Sequence, residues 1–268
     1  MALASVNTKA PWDDYLDAIK AKHCLPESPF ELTTQDYLQR LSEGASTAGL
    51  RNQQGLPIEF VEASPLGATS YEAMIFESGR VSTRLPELGA PIDVVHDYLN
   101  ALMWFAWPRT KAALNAAQYQ SANALPDSNV SATSQRGTYR DRLTLLDESG
   151  VVVVCTEAMG ALFAARSWAS LFFENRSAIV NGDFQVFVLG HGLLQRLQAP
   201  FKSITAHAWV LPLDSLSNVD AQMAARLPTL GRSQPLPVMG MPNWHQSWFE
   251  GVQNAAFYND QNVFRTPA

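Results

Sequence analysis

One stretch limits the fold more than any other: DVVHDYLNALMWFAWPRTKAALNAAQ, residues 93–118. Its apolar positions recur at helical spacing. Asp93 is placed to cap the start. Pro108 ends or kinks the helix, because proline lacks the N–H and clashes with the preceding turn. It also suits the first turn of a second helix. His96 and Asn100 stand four apart and share a face, as do Lys111 and Asn115. If Pro108 only kinks the helix, positions 96, 100, 104, 107, 111 and 115 form one stripe, polar at both ends with Trp104 and Trp107 between. Unpaired buried polar groups cost roughly 1–3 kcal/mol each, so such a stripe needs a purpose. His96, read in the first turn, faces the positive end of the helix dipole, which favours a neutral imidazole able to act as base, ligand or donor. The plainer reading is that His96 and Asn100 fix a neighbouring loop. Asp97 projects away from His96 and stabilises the helix start.

The remaining chain reads as alternating short elements. Trp12 to His23 and a segment capped by Thr33 or Thr34 are helical, giving an N-terminal helical part at about residues 10–50. LPIEFVEA alternates as a strand, and YEAMIFESGRVSTR reads as a second strand with a turn at Ser78-Gly79. Residues 121–138 are small and polar, a loop suited to a lid. RDRLTLLDESGVVVV reads as a hairpin, with LTLL and VVVV as strands and Asp147 to Gly150 as the turn. A helical stretch then runs to about Arg176. FQVFVLG and ITAHAWVLPL are strands, with the short helix HGLLQRLQ between them. Residues 228–245 are proline-rich coil, and the aromatic tail FYNDQNVFRTP packs onto the body. No linker interrupts the chain. The expectation is one α+β domain over residues 1–268, with a mainly antiparallel sheet and several packed helices.

Composition narrows the function classes. The chain has 268 residues, 47% hydrophobic and 16% charged, with a net charge of −6. Disorder and bulk electrostatic binding to nucleic acid or anionic membrane are therefore excluded. No apolar run spans a bilayer. Two cysteines, Cys24 and Cys155, read as free thiols in a reducing compartment, and the chain reads as cytoplasmic. Phosphate-loop, dinucleotide, nucleophile-elbow, H-E-x-x-H and C-x-x-C motifs are all missing.

Three places can carry chemistry. The first is the 93–115 region. The second is RDRLTLLDESG, where Asp141 starts a strand beside Arg140 and is either a site carboxylate or half of a local ion pair. Asp147 reads there as a turn residue bonding its own backbone. The third is GHGLLQRL, where His191 sits between two glycines that let backbone approach a ligand closely. His207 reads as a satisfied strand residue, and His23 and His245 have no supporting context.

These segments resemble a bacterial family known as domain of unknown function 3025. ESGRVSTR, HDYLNALMWFAWPRTKAALN, RDRLTLLDESG, GHGLLQRL and FYNDQNVFRTP match its blocks in order. Ser82 stands where that family has proline, and Val95 where it has tryptophan. The resemblance groups Glu77, Arg84, His96, Asp97, Asn100, Lys111, Asn115, Arg140, Asp141 and His191, and implies no activity.

Two readings stand. In one, the chain is an enzyme of hydrolytic type. His96, Asp141 and Asn100 are then the catalytic set, with His96 as base or metal ligand. Arg84, Lys111, Asn115 and His191 bind a small anionic substrate, and a divalent metal is a natural cofactor for a His/Asp/Asn set. In the other, the chain is a non-catalytic binding or scaffold protein whose polar residues are hydrogen-bond hubs. A nucleic-acid role ranks third and needs a basic groove from Arg136, Arg140, Arg142 and Lys111.

Overall fold

The computed structural model describes residues 11–63, 70–87, 89–123, 130–242, 244 and 254–266. The chain opens with helices α1 (Pro11–His23) and α2 (Thr34–Ala48). Thr33 caps α2 by accepting from the Asp36 N–H, and Gly49 ends it at φ 66°. Strand β1 (Glu59–Glu62), helix α3 (Tyr71–Ser78) and strand β2 (Arg80–Thr83) follow. β1 and β2 pair in parallel, so the chain must cross over between them, and α3 is that crossover. The strand expected over 71–77 is therefore a helix. Its signals are Ser70, which caps it, and Gly79, which ends it at φ 75°. A side chain at Gly79 would also stand 2.1 Å from the Pro57 carbonyl oxygen.

Helix α4 (Pro91–Ala106) and helix α5 (Pro108–Asn123) form the region that dominated the sequence. Pro108 separates two helices rather than kinking one. The α4 start lies three residues earlier than expected: Ala90 is the N-cap, Pro91 leads, and Asp93 sits in the first turn without capping. His96 therefore belongs to the second turn. Trp104 is 1% exposed and Trp107 3%, so the middle of the stripe is core.

The expected hairpin at 140–154 is a helix running into a strand. Helix α6 (Val130–Ser149) leads directly into β3 (Gly150–Cys155). Leu143 and Leu146, three apart, are both fully buried, which is helical spacing. LTLL alternates too weakly to resist it. α6 also occupies part of the proposed lid, and residues 124–129 lie outside the described ones. Next come α7 (Glu157–Ala164), a π-turn at Ser170–Glu174 and α8 (Arg176–Val180), so the expected long helix is broken. Arg166, at φ 52°, marks the break.

Strand β4 (Phe184–Val188), helix α9 (His191–Leu197), strand β5 (Thr205–Pro212), helix α10 (Val219–Arg226) and strand β6 (Gln234–Pro237) complete the body. The four-stranded sheet has the order β4-β3-β5-β6, antiparallel at both outer pairs and parallel at β3–β5. With the parallel β1–β2 pair, the architecture is α+β with mixed rather than mainly antiparallel sheets. Central β3 is covered on both faces, with Val151 to Val154 all at 0% exposure. β6 lies inside the expected coil, and its prolines are tolerated because it is an edge strand. The tail packs as expected: Phe264 is fully buried, and the Arg265 carbonyl accepts from the Trp168 indole. Among the described residues no helix is long and apolar enough to cross a membrane.

Candidate metal centre

Sheet register builds the site. Val151 at the start of β3 pairs with Val188 at the end of β4. The residues just before β3, Asp147 and Glu148, therefore lie beside those just after β4. The Gly190 N–H donates to the Gly150 carbonyl at 2.8 Å and locks this crossing. A Cβ on Gly190 would meet the Gly150 and Ser149 nitrogens at 2.5 and 2.6 Å, and one on Gly192 would meet the Glu148 carbonyl oxygen at 2.9 Å. The glycines flanking His191 thus admit the end of α6, not a ligand. α4 packs against α9 and brings His96 to the same place.

His96 Nε2 and His191 Nε2 lie 3.0 Å apart. Glu148 Oε1 lies 3.9 Å from the former and 3.6 Å from the latter. Among the described residues this is the cluster of His, Cys, Asp and Glu side chains able to hold a metal ion. A triangle with these sides has a centre about 2.1 Å from each corner, the usual zinc–nitrogen and zinc–oxygen distance.

The far sides of both rings are also set. Gln195 donates its amide N–H to the Ile92 carbonyl at 2.6 Å, which turns its own oxygen to His96 Nδ1 at 3.2 Å. His96 thus carries its proton on Nδ1 and presents a lone pair at Nε2. His191 Nδ1 is buried 3.8 Å from Asp147 Oδ1, too far for a direct bond but within its field. Burial lowers the His191 pKa to about 4 against the pull of Asp147, so its imidazole is neutral at pH 7. Burial raises the Glu148 pKa, with His96 opposing.

Beneath the triad lies a buried ion pair. Lys111, 4% exposed, donates to Asp147 Oδ1 and to Asn100 Oδ1 at 2.8 Å. Burial would raise the Asp147 pKa, but the Lys111 ammonium prevails and holds the carboxyl below its ordinary range. Asn100 in turn donates to the Tyr71 hydroxyl at 2.8 Å. The triad opens into a cavity of about 540 Å³, also lined by Tyr71, Glu72, Arg84, Asp97, Asn100 and Thr144. A larger groove, about 820 Å³, runs along α1 and α2 by His23 and Cys24, away from the triad.

The sequence candidates divide accordingly. His96, Asn100 and His191 line the cavity, and Lys111 lies directly behind it. Arg84 lines it as well, but its guanidinium faces Asp97 at 3.4 Å and Asp93 at 3.7 Å, and its backbone N–H donates to Asp97. Lys111 is spent on Asp147 and Asn100, and the charge of the exposed Arg84 is matched by Asp97 and Asp93. Asp141 is exposed on α6, two turns before Glu148, and does not line the cavity. Asn115 tethers the Glu72 carbonyl through its amide, its own oxygen buried and unpaired. Glu77 accepts from Tyr119, and Arg140 is exposed. Of the residues named for a basic groove, Lys111 is buried, and Arg142 donates to the Thr138 and Leu230 carbonyls. The Arg136 side chain and His245 lie outside the described residues. His207 is satisfied by Ser233, as expected.

Sequence reasoning read Asp147 as a turn residue and passed over Glu148, Tyr71 and Gln195. One signal was available. Two adjacent acids ending a helix oppose its dipole, and such local conflict marks a site.

A family model described as protein of unknown function (DUF3025) matches residues 58–267. No curated protein and no solved structure matches the chain.

Proposed function

We propose that this chain, which belongs to the DUF3025 family of proteins of unknown function, is a metal-dependent hydrolase. His96, Glu148 and His191 hold one divalent cation of zinc type. The observation that carries this reading is the triangle of 3.0, 3.6 and 3.9 Å between their ligating atoms. Three ligands of a tetrahedral ion at about 2.1 Å stand about 3.4 Å apart, whereas a facial octahedral set stands about 3.0 Å apart. The observed mean favours the tetrahedral case. Its fourth position faces the cavity and takes a water, which such an ion makes acidic enough to attack at neutral pH. Gln195 orients the His96 imidazole, as outer partners of metal-bound histidines do, and Asp147 acts on His191 through its charge. Lys111 keeps Asp147 charged. Glu148 replaces Asp141 as the carboxylate, and Asn115 takes a supporting role. The two unbonded cysteines support a cytoplasmic location, and the one core cluster running from Trp12 to Phe264 supports a single domain.

The rival reading is a metal-free hub. It is favoured by the direct hydrogen-bond distance between the two Nε2 atoms. A panel of chromogenic ester, amide and phosphodiester substrates separates the two. The hydrolase reading expects turnover that chelation abolishes and zinc restores, lost in His96→Ala and Glu148→Gln. Chelation without effect on any turnover found, or on metal content, supports the hub.

A further inference from the structure

Lysine has donors only, so the Lys111 ammonium fixes the direction of every hydrogen bond beyond it. It donates to Asn100 Oδ1, and a flipped amide would set NH₂ against the ammonium. Asn100 must then offer its N–H to the Tyr71 oxygen, 2.8 Å away. Tyr71 accepts that bond, and among the described residues its own hydrogen meets no acceptor. Burial, then the charges of Asp147 and Asp97, keep the phenol protonated far above neutral pH. Tyr71 lines the same cavity as the triad. A charge-assisted chain from Lys111 through Asn100 strengthens each donor in turn.

We propose that Tyr71 donates a hydrogen bond to the carbonyl oxygen of a neutral acyl substrate, an ester or amide, bound beside the cation. The inference rests on the metal reading above. The substrate class follows from charge. Among the described residues the cavity's one lining Lys or Arg, Arg84, is matched by Asp97, and Lys111 behind it is matched by Asp147. Glu72 and Glu148 add negative charge. Among the described residues a phosphate would meet no cationic side chain without a carboxylate beside it, whereas a carbonyl oxygen needs only the ion and one donor.

The test uses the full chain loaded with cobalt(II), whose visible absorption reports ligand exchange at the ion. Acetohydroxamate is the acyl probe and inorganic phosphate the contrast. Wild type should bind acetohydroxamate more tightly than phosphate. Tyr71→Phe should load cobalt equally but bind acetohydroxamate about tenfold or more weakly, the worth of one hydrogen bond to a charged group. Equal acetohydroxamate affinity in the two proteins, with cobalt bound in both, overturns the role of Tyr71 while leaving the metal site standing. Tighter phosphate binding overturns the substrate class. Failure of wild type to take up cobalt overturns the metal reading and this one with it. If Tyr71→Phe does not fold, 3-fluorotyrosine placed at position 71 gives a second measurement. Its fluorine resonance should move on adding acetohydroxamate to the cobalt-free, zinc-loaded protein, and a stationary resonance at saturation overturns the proposal.

Discussion

Replacing Lys111 by Met should be the most destabilising single change at the site, and its cost can be worked from the structure. The Lys111 side chain is 5% exposed and that of Asp147 17%. Removing one member of a buried pair leaves an unopposed charge and costs about 3–5 kcal/mol. The Asn100 carbonyl also loses its donor. For a chain of this size, each kcal/mol lowers Tm by about 2–4 °C, so the shift should be roughly 6–20 °C. Asp147→Asn alone strands the ammonium and should cost a similar amount. The double variant removes both charges and should cost little more than either single one, giving a coupling of about 3 kcal/mol or more. The assay is urea unfolding of metal-stripped protein for all four members of the cycle.

The pH dependence gives an internal check. In the wild type the depressed Asp147 pKa contributes stability that is present above its unfolded value and lost as pH falls through the lower folded one. Without Lys111 the largest opposing charge is gone and burial raises that pKa, so the Lys111→Met penalty should be largest at pH 7 and shrink toward pH 4. A Lys111→Met cost below 1 kcal/mol at pH 7, or strictly additive single changes, would refute the reasoning.

Three further outcomes are expected. His191 is held at about 4 in the folded protein against about 6.5 unfolded, so the unfolded chain binds the extra proton between those values. Stability of metal-stripped protein should fall by roughly 3 kcal/mol as pH drops through that window, and His191→Gln should flatten that limb of a urea-midpoint series. Asn52 gives two hydrogen bonds to the Ile75 and Phe76 carbonyls and accepts two, from Gln54 and Leu56, so Asn52→Ala should cost about 2–4 kcal/mol in thermal melts. Gln195→Leu should weaken zinc affinity about 10–100-fold by calorimetry, because His96 loses the partner that fixes its tautomer.

The parts of this fold that could be read in advance are those where local chemistry and tertiary context agree. α4, α5 and the proline between them follow from periodicity and from a residue with no N–H. β3, β4 and β5 are apolar runs too short for anything but buried strands. The hairpin reading of 140–150 failed for a specific reason. DESG is a good turn, and nothing local announces that Leu143 and Leu146 share a buried helical face. With a helix there, the acids that reach the cavity are Asp147 and Glu148 rather than Asp141, since facing in a strand and in a helix differ completely. His96, Asn100, Lys111 and His191 were recognisable as polar residues in apolar settings. Their acidic partners were not, because Asp147 meets Lys111 and Glu148 meets His191 only through sheet register and helix packing.

The central claim is that two imidazole nitrogens and one carboxylate oxygen enclose a cation. Anomalous diffraction at the zinc edge, from crystals grown with stoichiometric zinc, addresses it directly. The account predicts one peak about 2.1 Å from His96 Nε2, His191 Nε2 and Glu148 Oε1, absent in crystals of His96→Ala. A vacant triad with the two rings still in contact at 3.0 Å, or zinc bound only elsewhere, would contradict it.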